Sequence, residues 1–568
     1  MEAQTSSKLL QLPPEVLLHT LAFTSPRDCA KAATVNRSLN VLCSTWTLYR
    51  DLLLSLCDLP TTTSEAKSEP YPYQILCRRF VQATAALENI RTGLPPPSSS
   101  ELVSILETLV HVATSRPPAG LPSLNEPFLE KYLSPSSSSI LSLHPSFSSP
   151  RPYLRSQARK QSPEDVLISE LASHLHSLST PSLASVASPS IRTAAREIVY
   201  ERLNFTKSSS YGPLKSDGSG FVDYRKVEAI QILMNANLEE AKSMGWGQEP
   251  GQEETVSPYG WSSTRTGSAS NSLNLEGKKV DERDWAGITT HEWRGTYAFL
   301  HFPVYHSFNH HRTSSYIPSL AEESEAVGDC MSLKLELLPE GEEVSPPMEA
   351  FRTSSNRNVD ARGIRGGGGG GGETDSDEDP DFDENALDDE EEDTSASSSD
   401  DEDDLTTHFV TNRPRQQRAT PPTSPPDTTE VPPPIGPLPP PSSMKPSELP
   451  SSATSSNPFP KLSFRGTSMP LQLRTLSFTG TFVNSQSHFN MRDRSIRGTV
   501  EMNQAGEVIW KYIIRYGGID HWAMTGVQVG GPKSAFGVVG TWTCADRDAA
   551  DDEGPNGPFW YWPNMPEA

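Results

Sequence analysis

Apolar residues recur every three or four positions through much of the first 245 residues, which predicts helices. Three short helices are expected between residues 12 and 57, the third with its apolar residues at Leu39, Leu42, Cys43 and Trp46. Two longer helices are predicted from Ser100 and from Asp223. We expect these helices to pack on the first block and to extend it as a helical stalk.

From Trp285 onward the period changes to two, and aromatic and β-branched residues predominate. The segment Val508–Tyr516 alternates strictly, which is typical of a strand with one buried face. The preceding turn, Asn503-Gln504-Ala505-Gly506, predicts a hairpin with the strand before it. The second half of the chain is therefore predicted to be an antiparallel β structure.

A Gly-Thr pair flanked by apolar residues occurs four times, at Gly295-Thr296, Gly480-Thr481, Gly498-Thr499 and Gly540-Thr541. In each copy the residues two before and two after the glycine are apolar and would point to one face. Strands that bend at glycine are typical of a barrel or sandwich. Because one copy precedes a low-complexity stretch and three follow it, one interrupted β domain is the favoured interpretation; two independent β pieces are the alternative.

Composition favours several folded parts with unfolded stretches between them. Of 568 residues only 35% are hydrophobic and 51 are proline. The expected fold class is multidomain α+β: a three-helix block and stalk, then a β barrel or sandwich interrupted by a disordered acidic insertion. The predicted bounds are 8–57 for the first block, 73–245 for a helical linker with disordered Ser/Pro loops, 282–338 and 459–565 for the two parts of the β domain, and 339–458 for the insertion.

The net charge of −24 is mostly local, since 19 acidic and no basic residues lie between Glu373 and Asp404. The rest of the chain is nearly balanced, which argues against a nucleic-acid partner. No run of about 20 apolar residues and no signal peptide is seen, so we expect no membrane contact and a cytoplasmic or nuclear location. Six cysteines without a C-x-x-C pair fit reduced thiols.

The first block contains an ordered set of motifs: Leu12-Pro13-x-Glu15-Val16, then Leu21, Asp28, Val35-Asn36-Arg37, and finally Leu48-Tyr49-Arg50-Asp51-Leu52. This order resembles the F-box, although Tyr49 stands where the family usually has Trp and Cys29 where an aliphatic residue is usual. The resemblance implies binding to a Skp-type adaptor and through it to a cullin. The residues it points to are Leu12, Pro13, Val16, Leu17, Leu21 and Val35.

The β half is loosely similar to the carboxyl-terminal β domains of some fungal and plant F-box proteins. The similarity lies in Trp293-x-Gly295-Thr296-Tyr297 and in the run Gly526–Gly531, and it implies no ligand. The expected function is the substrate-recognition subunit of an SCF-type ubiquitin ligase, a non-catalytic part that binds an unknown protein substrate. The alternative is a stand-alone ligand-binding β-barrel protein whose amino-terminal helices are only structural.

The sequence motifs give little support for an enzyme active site or a metal site. Five histidines at 291, 301, 306, 310 and 311 fit no metal-binding spacing, and we expect a polar hairpin loop there. No G-x-S-x-G elbow exists, the glycine run lacks the Lys of a phosphate loop, and the aspartates after Asp546 predict a solvated turn. We therefore expect no catalytic residue, no cofactor and no metal.

Candidate substrate contacts are basic and aromatic residues of the β half: Arg494, Arg497, Lys511, Arg515, Trp522 and Trp542. The aromatic residues near the end of the chain are expected to plug the β domain rather than line a mouth. Kinase-like contexts surround Ser376, Ser399, Thr420 and Ser424 in the insertion. Phosphate there would extend the acidic tract, unless the arginines around 492–497 bind it.

Overall fold

The structure is a computed structural model. It describes residues 8–58, 73–95, 97–115, 122–133, 162–179, 189–243, 260–265, 281, 283–310, 319–328, 330–339, 342, 474–484, 494–545 and 554–564. Most of the expected insertion therefore lies outside the described residues, and the predicted domain boundaries stay predictions. The described residues contain an amino-terminal helical block, a further set of helices and a β barrel.

The first block has four helices where three were expected: α1 Pro14–Ala22, α2 Pro26–Val35, α3 Arg37–Cys43 and α4 Trp46–Leu54, after a 3-10 turn at Lys8–Gln11. The prediction of a single third helix that includes Leu39 and Trp46 was wrong. Thr45 adopts an extended conformation (ψ 136°), and α4 begins after it. The Ser25 side chain caps α2 by accepting from the Asp28 amide at 3.1 Å. Four helices thus fold within a block of under fifty residues.

Seven further α-helices follow in the described part of this region: α5 Tyr73–Arg91, α6 Ser99–Thr114, α7 Asn125–Leu133, α8 Pro163–Ser179, α9 Pro189–Tyr200, α10 Tyr224–Ser243 and α11 Gly260–Arg265. The helices predicted from Ser100 and Asp223 correspond to α6 and α10. Helix α5 packs on α2 and α4, and α10 packs on strands of the barrel. The helices therefore extend the first block, as predicted, and also cover one side of the barrel.

Nine strands and one helix make up the β domain: β1 Trp293–Leu300, α12 Phe302–His310, β2 Glu325–Val327, β3 Met331–Leu337, β4 Thr475–Asn484, β5 Arg494–Met502, β6 Val508–Tyr516, β7 Ile519–Gln528, β8 Val538–Cys544 and β9 Asn556–Pro563. All pairings are antiparallel. β1 pairs with both β3 and β9, which closes an eight-stranded barrel, and β2 extends from β1. The α+β fold class with a barrel is thus confirmed.

The two parts of the chain on either side of the insertion close one barrel. β3 precedes the insertion and pairs with β4 after it, for example Leu337 with Phe478. β1 likewise pairs with β9, for example Trp293 with Pro563. Two independent β pieces are excluded, because each part alone would leave an open sheet with unpaired edges.

The four Gly-Thr pairs lie in β1, β4, β5 and β8. Their flanking residues face the barrel interior: Trp293, Tyr297, Phe478, Phe482, Ile496, Val500, Val538 and Trp542. The predicted shared face is therefore confirmed. Each glycine lies between two large side chains and occupies an interior position where a neighbouring strand comes close.

One end of the barrel is closed by the segment 284–290. The buried Asp284 carboxylate accepts hydrogen bonds from the amides of Gly287, Ile288 and Thr289 at 2.7–2.8 Å and so shapes the turn. Trp293 Nε1 donates to the Ile288 carbonyl at 3.0 Å. Ile288 packs with the interior residues, so this end has a built-in plug.

Two large hydrophobic cores organise the described residues, beside a small cluster of Ile513, Ala523 and Ala545. One fills the barrel. The other is continuous from Leu21 and Leu52 in the first block, through Leu109 and Leu233 in the helices, to Trp560 on the outer face of the barrel. A shared apolar core of this kind favours a fixed arrangement of the parts it joins. Within the described residues, no helix is long and apolar enough to cross a membrane.

Candidate functional site

The first block presents apolar side chains on its surface. Leu12, Val16 and Val35 are 42%, 46% and 76% exposed, and Pro13 is exposed as well. Leu17 and Leu21 are buried. The predicted adaptor-binding set therefore divides into four surface residues and two core residues that hold α1 in place. We call Leu12, Pro13, Val16 and Val35 the amino-terminal apolar face.

Sequence reasoning missed other exposed apolar residues in the same block. Phe23, Val41 and Trp46 are 79%, 65% and 53% exposed. Trp46 stacks on Tyr73 of α5 with ring centroids 6.2 Å apart. For Phe23 and Val41 the available signal was their position off the predicted apolar stripes, whereas Trp46 was predicted on such a stripe and is exposed because α4 begins a new helix.

Four cysteines lie in the core that joins the first block to α5: Cys29, Cys43, Cys57 and Cys77. They are free thiols, as expected. Burial raises the pKa of Cys29 and of Cys57 to about 12 and that of Cys77 to about 11. The thiols of Cys29, Cys57 and Cys77 therefore stay protonated near neutral pH, and all four side chains pack as small apolar groups.

The basic residues of β5 and β6 fall into two groups. Lys511 Nζ lies 3.0 Å from Glu501 Oε2. Arg497 and Arg515 both pair with the Asp520 carboxylate, at 2.6 and 2.7 Å. These three predicted substrate contacts already have carboxylate partners. Sequence reasoning missed both carboxylates, although cross-strand pairing of β5, β6 and β7 brings them near.

Arg494, in contrast, begins β5 on the interior side and contacts an aromatic ring. Its guanidinium carbon lies 5.8 Å from the Phe482 ring centroid. The Nε atom is buried without a hydrogen-bond partner, and no carboxylate of the described residues pairs with it. Cation–π contact holds the side chain at the end of the barrel opposite the plug.

The two predicted tryptophans also lie toward this end. Trp522 is half-buried, and its ring meets Trp542 edge to face at 5.1 Å. Trp542 lies inside the barrel, 7% exposed, and its Nε1 donates to the Ala298 carbonyl at 3.1 Å. Of the two, Trp522 is the less buried.

The aromatic residues of β9 divide between the two faces of the sheet. Phe559 and Tyr561 point into the barrel. Trp560 and Trp562 point outward and pack in the helical core. Large side chains fill the interior, and the void they leave has a volume of about 10 Å³, room for about one water molecule. The plugging role expected for clustered aromatics thus applies to the two that point inward.

The histidine segment is a helix, so the predicted polar hairpin loop was wrong. In α12 the buried residues Tyr305 and Phe308 share one face, which anchors the helix. His306 and His310 are four residues apart, so an H-x-x-x-H spacing is present after all, and their rings stack at 4.1 Å. The described residues contain no group of three metal-ligating side chains.

Several predicted sites fall where the structure gives no description. Ser376, Ser399, Thr420 and Ser424 lie outside the described residues, as do Arg492 and the aspartates from 546 to 552. The phosphorylation sites and the capture of the acidic tract by arginines therefore remain predictions. Of the arginines that would bind the tract, Arg497 is already paired with Asp520.

Comparison with known proteins bears on the first block alone. Residues 9–55 match the F-box-like family model. No curated protein and no solved structure matches the chain. The match spans α1 to α4 and includes the whole amino-terminal apolar face. The amino-terminal helices are thus an F-box-like domain, which supports the prediction of an F-box protein.

Proposed function

We propose that this chain is the substrate-recognition subunit of an SCF-type ubiquitin ligase. The F-box-like domain would bind a Skp-type adaptor, and through it a cullin, while the barrel domain binds a protein substrate. The observation that carries the proposal is the amino-terminal apolar face on a domain that matches the F-box-like model. Such a subunit would act in the cytoplasm or nucleus.

Exposed apolar side chains support the adaptor half of the proposal. Val35 is 76% exposed and Val16 46% exposed, although helices of a monomeric protein usually turn such residues inward. Burial of these side chains against a partner would be favourable by about 25 cal/mol per Å². The two buried residues of the predicted set, Leu17 and Leu21, would support the contact from below.

The shared core supports the receptor half. A substrate receptor works by proximity, because it raises the effective concentration of the target near the ubiquitin-carrying partner. This requires a firm connection between the two binding parts. Core residues run from the F-box-like domain to the barrel surface. Barrel threonines also hold the connecting segment: Thr525 and Thr541 donate to the carbonyls of Ser210 and Tyr211 at 2.9 and 2.6 Å.

We assign the chain no catalytic residue, cofactor or metal in this proposal. The substrate would meet the barrel domain at the end opposite the plug, where Arg494 and Trp522 lie. Arg497, Lys511 and Arg515 are left out of the proposed site, because each already has a carboxylate partner. The alternative of a stand-alone ligand-binding barrel gains little support from an interior filled by aromatic side chains.

Co-purification of the full chain with a Skp-type adaptor tests the proposal. Leu12→Asp with Pro13→Ala should reduce adaptor binding at least tenfold, because a charge buried without a partner is costly. Leu12 is 42% exposed, so the variant should keep its fold. Leu203→Asp is the matched control, since Leu203 is 68% exposed and lies outside the domain. Binding that survives in the double variant would reject the assignment.

A further inference from the structure

One strand of the β domain is paired on one side only. β2 pairs with the last residues of β1, in the register Ala298 with Val327, Phe299 with Ala326 and Leu300 with Glu325. No other strand of the described residues pairs with β2, whereas each of the eight barrel strands is paired on both sides. The second edge of β2 is therefore free.

The hydrogen bonds to β1 determine which main-chain groups face this free edge. The Gly328 amide donates to the Tyr297 carbonyl at 2.8 Å. Residues of an antiparallel pair alternate between bonding to the partner strand and pointing away from it. Ala326 therefore bonds to β1, while the N–H and C=O groups of Glu325 and Val327 point away from it. We call these main-chain groups the β2 edge.

The β2 edge reaches solvent. The side chain of Glu325 is 0% exposed because α9 covers it, yet the residue as a whole is partly exposed, so its accessible surface lies on the main chain. Val327 is partly exposed, and Ser324 and Ala326 are exposed. No hydrogen bond among the described residues ends on the β2 edge. Unpaired donors and acceptors of this kind are a template for a further strand.

Acidic side chains lie beside the edge. Glu322 and Glu323 directly precede the strand; the first is exposed and the second partly exposed, and neither has a cation partner among the described residues. Glu240 of α10 is half-exposed and shares the Arg192 guanidinium with Glu325. Unpaired carboxylates at this place favour a basic partner and disfavour an acidic one.

The edge lies at the end of the barrel opposite the plug. β1 begins beside the plug, where Trp293 bonds to Ile288, and its last residues pair with β2. Trp542 donates to the carbonyl of Ala298 in this last part of β1, and Trp522 packs against Trp542. The β2 edge therefore lies at the end where the proposed function has the substrate bind.

We propose that the β2 edge binds an extended, basic segment of the substrate protein, which adds a strand to β2. The main chain of the segment forms hydrogen bonds with Glu325 and Val327. Its lysine or arginine side chains contact Glu322 and Glu323. Because the edge is short, recognition depends on charge as well as on the main chain. The inference rests on the proposed receptor function and names the substrate class.

Fluorescence anisotropy with labelled, acetylated peptide amides tests the site on the full chain. The probes have the sequence Lys-Thr-Val-Thr-Val-Thr-Lys, with versions in which Ile, Tyr or Phe replaces Val. A matched set carries Glu in place of Lys. Wild-type protein should bind the best Lys probe about tenfold or more tightly than its Glu version.

N-methylation of alternate peptide amides separates strand addition from simple charge attraction. An added strand directs every second N–H group to β2, so methylation in one phase removes those donors and methylation in the other phase leaves them. The first phase should weaken binding about tenfold or more, and the second less than about threefold. The protein is the same in both measurements, so the comparison does not depend on the folding of a variant.

Matched protein variants test the edge and its charge. Val327→Pro removes a free N–H group that faces away from β1 and should weaken binding about fivefold or more. Val327→Ala keeps that group and should change binding less than about twofold. Glu322→Gln with Glu323→Gln should reduce the preference for Lys over Glu probes, whereas Glu336→Gln on β3 should not. A thermal melt of each variant establishes that the barrel is folded.

Four outcomes would overturn the proposal: wild-type protein binds no Lys probe of the set, Glu probes bind as tightly as Lys probes, the two methylation phases have equal effects, or folded Val327→Pro binds as wild type does. Adaptor binding by the same preparations keeps this failure apart from that of the proposed function. Intact adaptor binding without peptide binding rejects the β2 edge alone. Peptide binding without adaptor binding rejects the ligase role alone.

Discussion

Glycines at interior positions of the barrel leave no room for a β-carbon. At Gly480 a β-carbon would lie 2.4 Å from the Lys334 carbonyl oxygen and 2.7 Å from Leu335 Cδ2. At Gly540 it would lie 2.2 Å from the Thr525 carbonyl oxygen. Close approach of the neighbouring strand, rather than backbone conformation, therefore requires glycine at these two positions.

Gly480→Ala should destabilise the barrel by about 1–3 kcal/mol, because backbone must move to admit the methyl group. Its neighbour Thr481 points outward and is exposed, so Thr481→Ala should change the free energy of unfolding by no more than about 0.5 kcal/mol. Thermal unfolding of the two variants provides the comparison. Equal melting temperatures would show that the barrel adjusts to the added methyl group.

The Gly-Thr pattern was sufficient to predict which of its flanking residues face the barrel interior. It could not predict which carboxylates pair with the basic residues of β5 and β6. Asp520 reaches both Arg497 and Arg515 only because β7 follows β6 through a tight turn. Arg494 has no carboxylate partner among the described residues, and this depends on strand register rather than on residue type.

Between elements, a buried ion cluster joins α9 to the barrel through β2. The side chain of Glu325 is fully buried, and its carboxylate accepts from Arg196 at 2.7 and 2.9 Å and from Arg192 at 2.9 Å. Arg196 also donates to the Leu320 carbonyl at 3.1 Å. Because these charges are largely removed from water, each needs its oppositely charged partner to offset the free-energy cost of desolvation.

Glu325→Gln should therefore destabilise the protein by about 3 kcal/mol, because the buried Arg196 guanidinium would lose its carboxylate partner and Arg192 would lose one of its two. The matched control is Glu240→Gln, which removes a half-exposed carboxylate that pairs with Arg192 at 3.1 Å. Its expected cost is below about 1 kcal/mol. Urea unfolding measures both variants. A Glu325→Gln cost no greater than that of the control would contradict a buried, mutually dependent cluster.

A second prediction concerns the insertion between β3 and β4. Deletion of residues 345–455 should leave the barrel folded, because β3 and β4 pair directly with each other. The deletion shortens the connection about fivefold, which lowers the loop-closure cost by roughly 1.4 kcal/mol. The melt should stay cooperative, at an equal or higher temperature. Aggregation of the deletion variant would show that the insertion supports the fold.

Periodicity predicted the existence of most elements but not all of their ends or types. The end of α3 depends on the extended Thr45, which no period reports. The helix α12 was missed because polar histidines hide its apolar pair, Tyr305 and Phe308. Barrel closure between β1 and β9 joins residues far apart in sequence, so local patterns allowed both barrel and sandwich.

Across the whole molecule, two half-buried histidines make stability depend on pH. Burial lowers the pKa of His111 to about 4 and that of His174 to about 3. The His174 ring stacks on Tyr224 with centroids 3.5 Å apart. Between pH 6.5 and about 4 the unfolded chain binds protons at both histidines while the folded chain does not. The free energy of unfolding therefore decreases as the pH is lowered through this range.

Each histidine should contribute a slope of about 1.4 kcal/mol per pH unit in that range. The carboxylate of Glu88, whose pKa hydrogen bonding from Tyr132 lowers to about 2, adds its own loss only below about pH 4.5. Urea unfolding at pH 7, 6 and 5 measures the slope. His174→Phe keeps an aromatic ring against Tyr224 and should reduce the slope by the contribution of one histidine. A free energy of unfolding that is constant from pH 7 to pH 5 would contradict the prediction.

We propose that the amino-terminal apolar face binds a Skp-type adaptor while the barrel stays free for a substrate. Hydrogen exchange of the full chain, with and without the adaptor, distinguishes these two surfaces. We expect added protection within residues 9–55, around Leu12, Val16 and Val35, and unchanged exchange in β4 to β7. Protection confined to β4 to β7, or no protection at saturating adaptor, would rule this arrangement out.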